Sequence, residues 1–230
     1  MSKTVAIVQS NYIPWKGYFD LINSVDEFVL YDDAQYTRRD WRNRNTIKSP
    51  HGLIWLTIPV QVKGKFFQQI KDTVVADDQW AREHWQTIVH NYSRAPYFSE
   101  YRELFEDLYL GLNERSLSQI NFRLISAICQ ILEITTTIKW SMDYELLGDK
   151  TERLLGICQQ AGATRYLSGP SAKAYLEEDL FKRQGIELCY MDYGGYADYH
   201  QLYPPFASRV SIIDLIFNEG PNARRYMKSF

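Results

Sequence analysis

Cysteine is scarce in this chain and never paired. Cys129, Cys158 and Cys189 are odd in number, far apart and set in apolar surroundings, and no CxxC occurs. Neither a disulfide framework nor a zinc site is supported, and buried free thiols are expected. Histidine is almost as sparse. His51, His84, His90 and His200 lack metal-ligand spacing, so no metal is expected. There is no GxSxG elbow, no P-loop and no GxGxxG, so neither an α/β-hydrolase nucleophile nor a common nucleotide motif is present. No apolar run approaches the ~20 residues of a membrane span. The opening MSKTVAIVQSNY is interrupted by Gln9, Ser10 and Asn11 before a signal-peptide core can form, so a cytoplasmic location is expected. A formal net charge of −2 supplies no global basic field, which argues against nucleic acid as a partner.

What the chain does contain is ordinary globular material: 230 residues, 45% hydrophobic and 23% charged. It is rich in aromatics, with 17 Tyr and 6 Trp. The periodicity predicts an α/β fold, a mostly parallel, Rossmann-like open sheet flanked by helices. Thr4–Val8 reads as a first strand, 17–24 as one or two helical turns, and 25–31 as a second strand. Residues 34–49 are polar and aperiodic and read as a long functional loop. Residues 53–62 form a strand interrupted by Pro59, and 69–75 a further short strand. Helical stripes follow, the first opening at Asp77 or Asp78 and a later one capped by Ser116 or Ser118. Strands at 135–140, 163–167 and 186–190 alternate with helices that open at Asp149 or Thr151 and at Ala172. A last helix at 211–218 closes at Gly220. The economical description is a single α/β domain over 1–230 with a helical insertion at about 77–133.

Four constellations carry candidate chemistry. Gln9-Ser10-Asn11-Tyr12 follows the first strand, where such folds bind ligands, with Trp15 close behind. Asp32 and Asp33 end the second strand and point to opposite faces; either is a candidate for orienting or deprotonating a reacting group. The segment Tyr36–Arg44, YTRRDWRNR, puts four arginines around Trp41, so guanidinium forks for phosphate or carboxylate sit beside an aromatic platform. Ser168-Gly169-Pro170-Ser171 lies between a strand and a helix, and a parallel sheet brings it to the same edge. Asp192, Tyr193 and His200 are expected there too.

QSNYIPWKGYFDLI, FVLYDDAQYTRRDWRNRNTIKSPHGLIWLTIPV, YLSGPSAKAYLEEDLFKRQGIEL and SIIDLIFNEG closely resemble the WbqC-like family, nearly end to end. The family motif maps onto Gln9, Asn11, Tyr12, Pro14, Trp15, Gly17 and Tyr18. It continues through Asp32, Asp33, Gln35, Tyr36, Trp41, Arg42, Asn43 and Arg44, then Ser168 and Gly169. Many members read HQPN where this chain reads Val8-Gln9-Ser10-Asn11, so a histidine of the family pattern is absent. The resemblance implies a protein that helps build or decorate a sugar precursor of bacterial surface polysaccharide such as O-antigen. The expected partner is a sugar nucleotide and the expected reaction acyl or aminoacyl transfer to an amino sugar. No cofactor is specified. In that scheme Arg38, Arg42 and Arg44 hold the diphosphate and Trp15 or Trp41 stacks on a ring. Asp32 or Asp33 handles the amine, and Gln9 and Asn11 fix the donor. A non-catalytic binding or scaffold protein of the same pathway is the alternative.

Overall fold

The structure, a computed structural model, describes residues 2–230. In chain order its elements are β1 (Thr4–Val8), α1 (Lys16–Asn23), β2 (Glu27–Leu30), β3 (Arg44–Ser49), β4 (Gly52–Thr57), α2 (Trp80–Tyr92) and α3 (Phe98–Leu110). Then come α4 (Leu117–Ile131), β5 (Thr137–Trp140), α5 (Lys150–Gln160), β6 (Arg165–Ser168), α6 (Glu178–Arg183), β7 (Glu187–Tyr190) and α7 (Ile212–Glu219). Five strands make one parallel sheet in the order β5-β2-β1-β6-β7, while β3 and β4 form a separate antiparallel hairpin. The α/β reading holds.

Alternation along the strands sorts the core into two layers. Ala6, Phe28 and Leu30 face a cluster shared with Phe19 and Leu21 of α1 and Leu124 and Ile128 of α4. Val5, Ile7 and Val29 face the opposite layer, with Leu154 and Ile157 of α5 and Phe181 of α6. Both faces are covered, as a parallel sheet requires.

Local signals explain several boundaries. Asp149 caps α5, accepting from the backbone N–H of Thr151 (2.9 Å) and Glu152 (3.1 Å), while Glu152 accepts from the Asp149 N–H (2.9 Å), a capping box. Ser116 caps α4 through the Gln119 N–H. No side chain caps α2; Asp77 instead accepts from the Gln79 N–H (2.9 Å), one residue before the helix.

Four expectations need correction. Residues 44–49, read as loop, are strand β3: Thr46 and Ile47 pair with Trp55 and Ile54. The strand is polar because its buried Asn45 and Lys48 find partners, Asn45 donating to the Tyr12 and Ile13 carbonyls and Lys48 to that of Pro205. Residues 69–75 make only isolated bridges. The helix expected over 172–183 is split into a 3-10 turn (Pro170–Ala174) and α6. Cys129 and Cys158 are buried thiols, but Cys189 is only half-buried.

His84 of α2 lies in this core, with Nδ1 2.8 Å from the Tyr12 hydroxyl, which in turn meets the Tyr109 hydroxyl at 2.8 Å. Burial lowers its pKa to about 4. The unfolded chain therefore takes up this proton first, near pH 6.5, so the contribution of His84 is complete above that pH. It falls by about 3 kcal/mol as pH drops toward 4. Denaturant unfolding of wild type and His84→Gln between pH 7 and 4 should show the variant's stability falling less steeply; parallel curves would refute this.

Candidate functional site

In the sheet the chain runs outward from β1 to β2 and β5, then restarts on the other side at β6 and β7. The strand order therefore reverses between β1 and β6, and ligands of open α/β sheets bind at the carboxyl ends of the strands at such a point. A cavity of about 720 Å³ opens there, within the usual range of roughly 300–1,000 Å³ for a small-molecule site.

The β1–α1 turn shapes one wall. Ile13 adopts a left-handed backbone (φ 35°) although it is β-branched and precedes Pro14. The turn is held there from several sides. Asn45 donates to the carbonyls of Tyr12 (3.1 Å) and Ile13 (2.9 Å), the Tyr12 N–H donates to the Trp41 carbonyl (2.9 Å), and the Ile212 N–H donates to that of Pro14 (2.9 Å). Trp15 then folds back over Gly17, where a Cβ would sit 2.4 Å from the indole. Its ring meets Tyr193 and Tyr196 edge-on at 5.2 and 5.7 Å.

The twin carboxylates have different environments. Asp32 is wholly buried and outside the cavity wall. It accepts from the Ser10 N–H (2.8 Å) and the Ser118 hydroxyl (2.5 Å), and burial raises its pKa. One oxygen is thus held by the backbone after β1 and the other by α4. Asp33 faces the cavity. Lys71 donates to one of its oxygens, and the Ser141 hydroxyl donates to the other at 2.7 Å.

Arg42 is a cation with one loosely held counter-charge, Asp40. Its side chain is 13% exposed. Nη1 donates to Asn11 Oδ1, and Asp40 lies 3.6 Å from Nη2; among the described residues these are its side-chain polar partners. The buried guanidinium has a lowered pKa from desolvation, and it retains N–H donors that no protein acceptor takes up. Its own carbonyl is fixed by Asn121 of α4 (2.9 Å), which also reaches the Ser10 hydroxyl (3.0 Å).

The structure thus places Gln9, Asn11 and Trp15 in one wall of the cavity. Asp33, Gln35, Trp41 and Arg42 come from the segment after β2, and Ser168 and Gly169 from the turn after β6. Other candidates lie elsewhere. Tyr12 and Tyr36 are buried, and Asn43 turns its amide to the Ile58 carbonyl (2.8 Å). Arg38 points to the Val62 carbonyl (3.0 Å), and Arg44 stacks on Trp55 at 3.6 Å. Arg44, the first residue of β3, is held on Trp55 and does not line the cavity. Tyr193 lines the cavity, whereas Asp192 pairs with Lys228 and His200 lies outside the wall. Lys150, Arg153 and Tyr175 also line it and were not singled out from the sequence. The Asp149 cap was the available signal for the first two, since it puts the opening of α5 at this edge. Among the described residues no cluster of His, Cys, Asp and Glu could hold a metal ion, and no helix is long and apolar enough to cross a membrane.

Gly17 tests the Trp15 wall. Alanine favours a helix over glycine by roughly 1 kcal/mol, but here its Cβ must push the indole aside. Gly17→Ala should therefore lose about 1–2 kcal/mol net through overpacking and alter the near-UV circular dichroism of the tryptophans. A stabilised protein with an unchanged spectrum would show that the wall is not so built.

The chain resembles known proteins along almost its whole length. A family model described as the WbqC-like protein family matches residues 9–226. A Mycobacterium tuberculosis (strain ATCC 25618 / H37Rv) protein named "Uncharacterized protein Rv1507c" is 53% identical over 226 residues, covering 98% of each chain. No solved structure matches. With the family match spanning nearly every element and a relative 53% identical along almost the whole chain, the chain belongs to the WbqC-like protein family.

Proposed function

We propose that the cavity is the active site of an enzyme of surface-polysaccharide biosynthesis that binds a nucleotide-linked amino sugar and transfers an acyl or aminoacyl group to its amine. The observation that carries this is Arg42, a nearly buried guanidinium in the cavity wall whose one paired carboxylate, Asp40, stands off at 3.6 Å and which keeps free N–H donors. Such a charge is costly unless an anion completes it, and phosphate matches its fork. Trp15, Trp41 and Tyr193 offer ring faces and edges for a base or sugar beside it. Asp33, oriented by Lys71 and Ser141, is the carboxylate in the wall. In this reading it takes the amine proton as nitrogen bonds to the carbonyl carbon and the leaving group departs with its electron pair. Arg38 and Arg44, which lie outside the cavity, have no part in it.

The second reading is capture without turnover. It is favoured by the engagement of both Asp33 oxygens and by a cavity wall with no histidine or cysteine among the described residues.

Titration calorimetry with UDP-N-acetylglucosamine tests the first reading. Binding should weaken by about 10- to 100-fold in Arg42→Met, the size of a lost charge-assisted contact, and only partly recover in Arg42→Lys. Failure of wild type to bind this or other sugar nucleotides would remove the proposal. With UDP-glucosamine, whose amine is free, and acyl and aminoacyl donors supplied, mass spectrometry should show amide formation that Asp33→Asn abolishes while binding persists. Turnover unaffected by that substitution would take the base role from Asp33, and binding with no turnover by any donor would favour capture.

A further inference from the structure

We infer that the cavity contains a second, separate anion subsite on the α5 side of the sheet, formed by Lys150 and Arg153, which takes a phosphate- or diphosphate-bearing co-substrate. This deepens the proposed transfer, which requires two substrates in one site.

The two-layer core shows the division. The cavity wall includes Tyr18 and Leu21 of α1, which cover one face of the sheet, and Lys150, Arg153 and Leu154 of α5, which covers the other. The cavity therefore passes over the carboxyl end of β1 instead of stopping at it. Its cations divide in the same way. Arg42 is tied to Asn11 in the β1–α1 turn and to Asn121 of α4, whereas Lys150 and Arg153 rise from the opposite layer.

Among the described residues neither α5 cation forms an ion pair; Arg153 only donates from Nε to the Gly148 carbonyl (3.0 Å), leaving its terminal nitrogens free. The neighbouring acids are already engaged, because Asp149 and Glu152 satisfy one another's backbone in the capping box. That cap also occupies the helix N-terminus, so the attraction comes from the side-chain charges and not from the helix dipole. In the same cavity wall, the Ser168 hydroxyl has only a long contact (3.4 Å) to the Tyr166 hydroxyl, and the space beside Gly169 where a Cβ would stand is empty. A phosphate oxygen can thus approach both the hydroxyl and the bare backbone. Tyr175, 56% exposed, borders the same end.

The test is calorimetry of the full chain with inorganic pyrophosphate. Two equivalents per chain are expected. Lys150→Met/Arg153→Met should weaken one of them by at least about tenfold and spare the other, and Arg42→Met should do the reverse. UDP-N-acetylglucosamine should displace only the equivalent that depends on Arg42. A single equivalent lost in either variant would mean one continuous anion site and overturn the inference. So would binding indifferent to Lys150 and Arg153. If UDP-N-acetylglucosamine does not bind but the two variant-specific equivalents persist, the sugar-nucleotide reading fails while the second subsite stands. If UDP-N-acetylglucosamine binds through Arg42 and the second equivalent is absent, that reading stands and the inference falls.

Discussion

A buried carboxylate holds the signature segments of this chain together. Asp32, at the end of β2, accepts from the Ser10 backbone after β1 and from the Ser118 hydroxyl of α4. Ser10 in turn meets Asn121, one turn further along α4, and Asn121 grips the Arg42 carbonyl. Three stretches far apart in sequence are thereby referred to one point. Burial of an acid without such donors costs several kcal/mol, so the arrangement is all-or-none: each partner is needed to make the others tolerable.

The same solution recurs across the molecule. Asp214 of α7 is buried and accepts from the Tyr92 and Tyr199 hydroxyls, each at 2.7 Å, and from Gln201 at 2.9 Å. Asp20 of α1 accepts from the Tyr196 hydroxyl (2.5 Å) and from the Lys228 and Ser229 backbone (2.9 and 3.0 Å). Glu27 of β2 takes the Tyr144 hydroxyl together with Lys3 and Lys139. Much of the tyrosine content is accounted for here. A phenol brings apolar bulk to the core and one strong donor to an acid that must be satisfied inside it, and burial correspondingly raises the pKa of Tyr92 and Tyr199. The Asp20 cluster also bears on the cavity. It fixes Tyr196 against Trp15, while Lys228 secures the loop carrying Tyr193 by donating to the Asp192 and Gly194 carbonyls (both 2.9 Å).

Polarity misleads where a segment is buried through hydrogen bonds. RNTIKS carries only one strongly apolar residue, yet Asn45 and Lys48 are satisfied internally and the segment pairs as β3. An arginine-rich run was legible as anion-seeking, but one arginine of the run, Arg42, reaches the cavity, because Arg44 is held on Trp55 and the loop carbonyl at Val62 captures Arg38.

Sequence alone determined the α/β class and the strand–helix order at both ends of the chain, and narrowed the caps of α4 and α5 to Ser116 or Ser118 and Asp149 or Thr151. All of these follow from local periodicity and from the alternation of parallel strands. Tertiary structure decided which of two adjacent aspartates faces the cavity, which arginine of the run reaches it, and that α5 places two further cations in its wall. Those outcomes depend on partners distant along the chain, such as Ser118 for Asp32 and Lys71 and Ser141 for Asp33. No local pattern encodes them, because a hydrogen bond is indifferent to sequence separation.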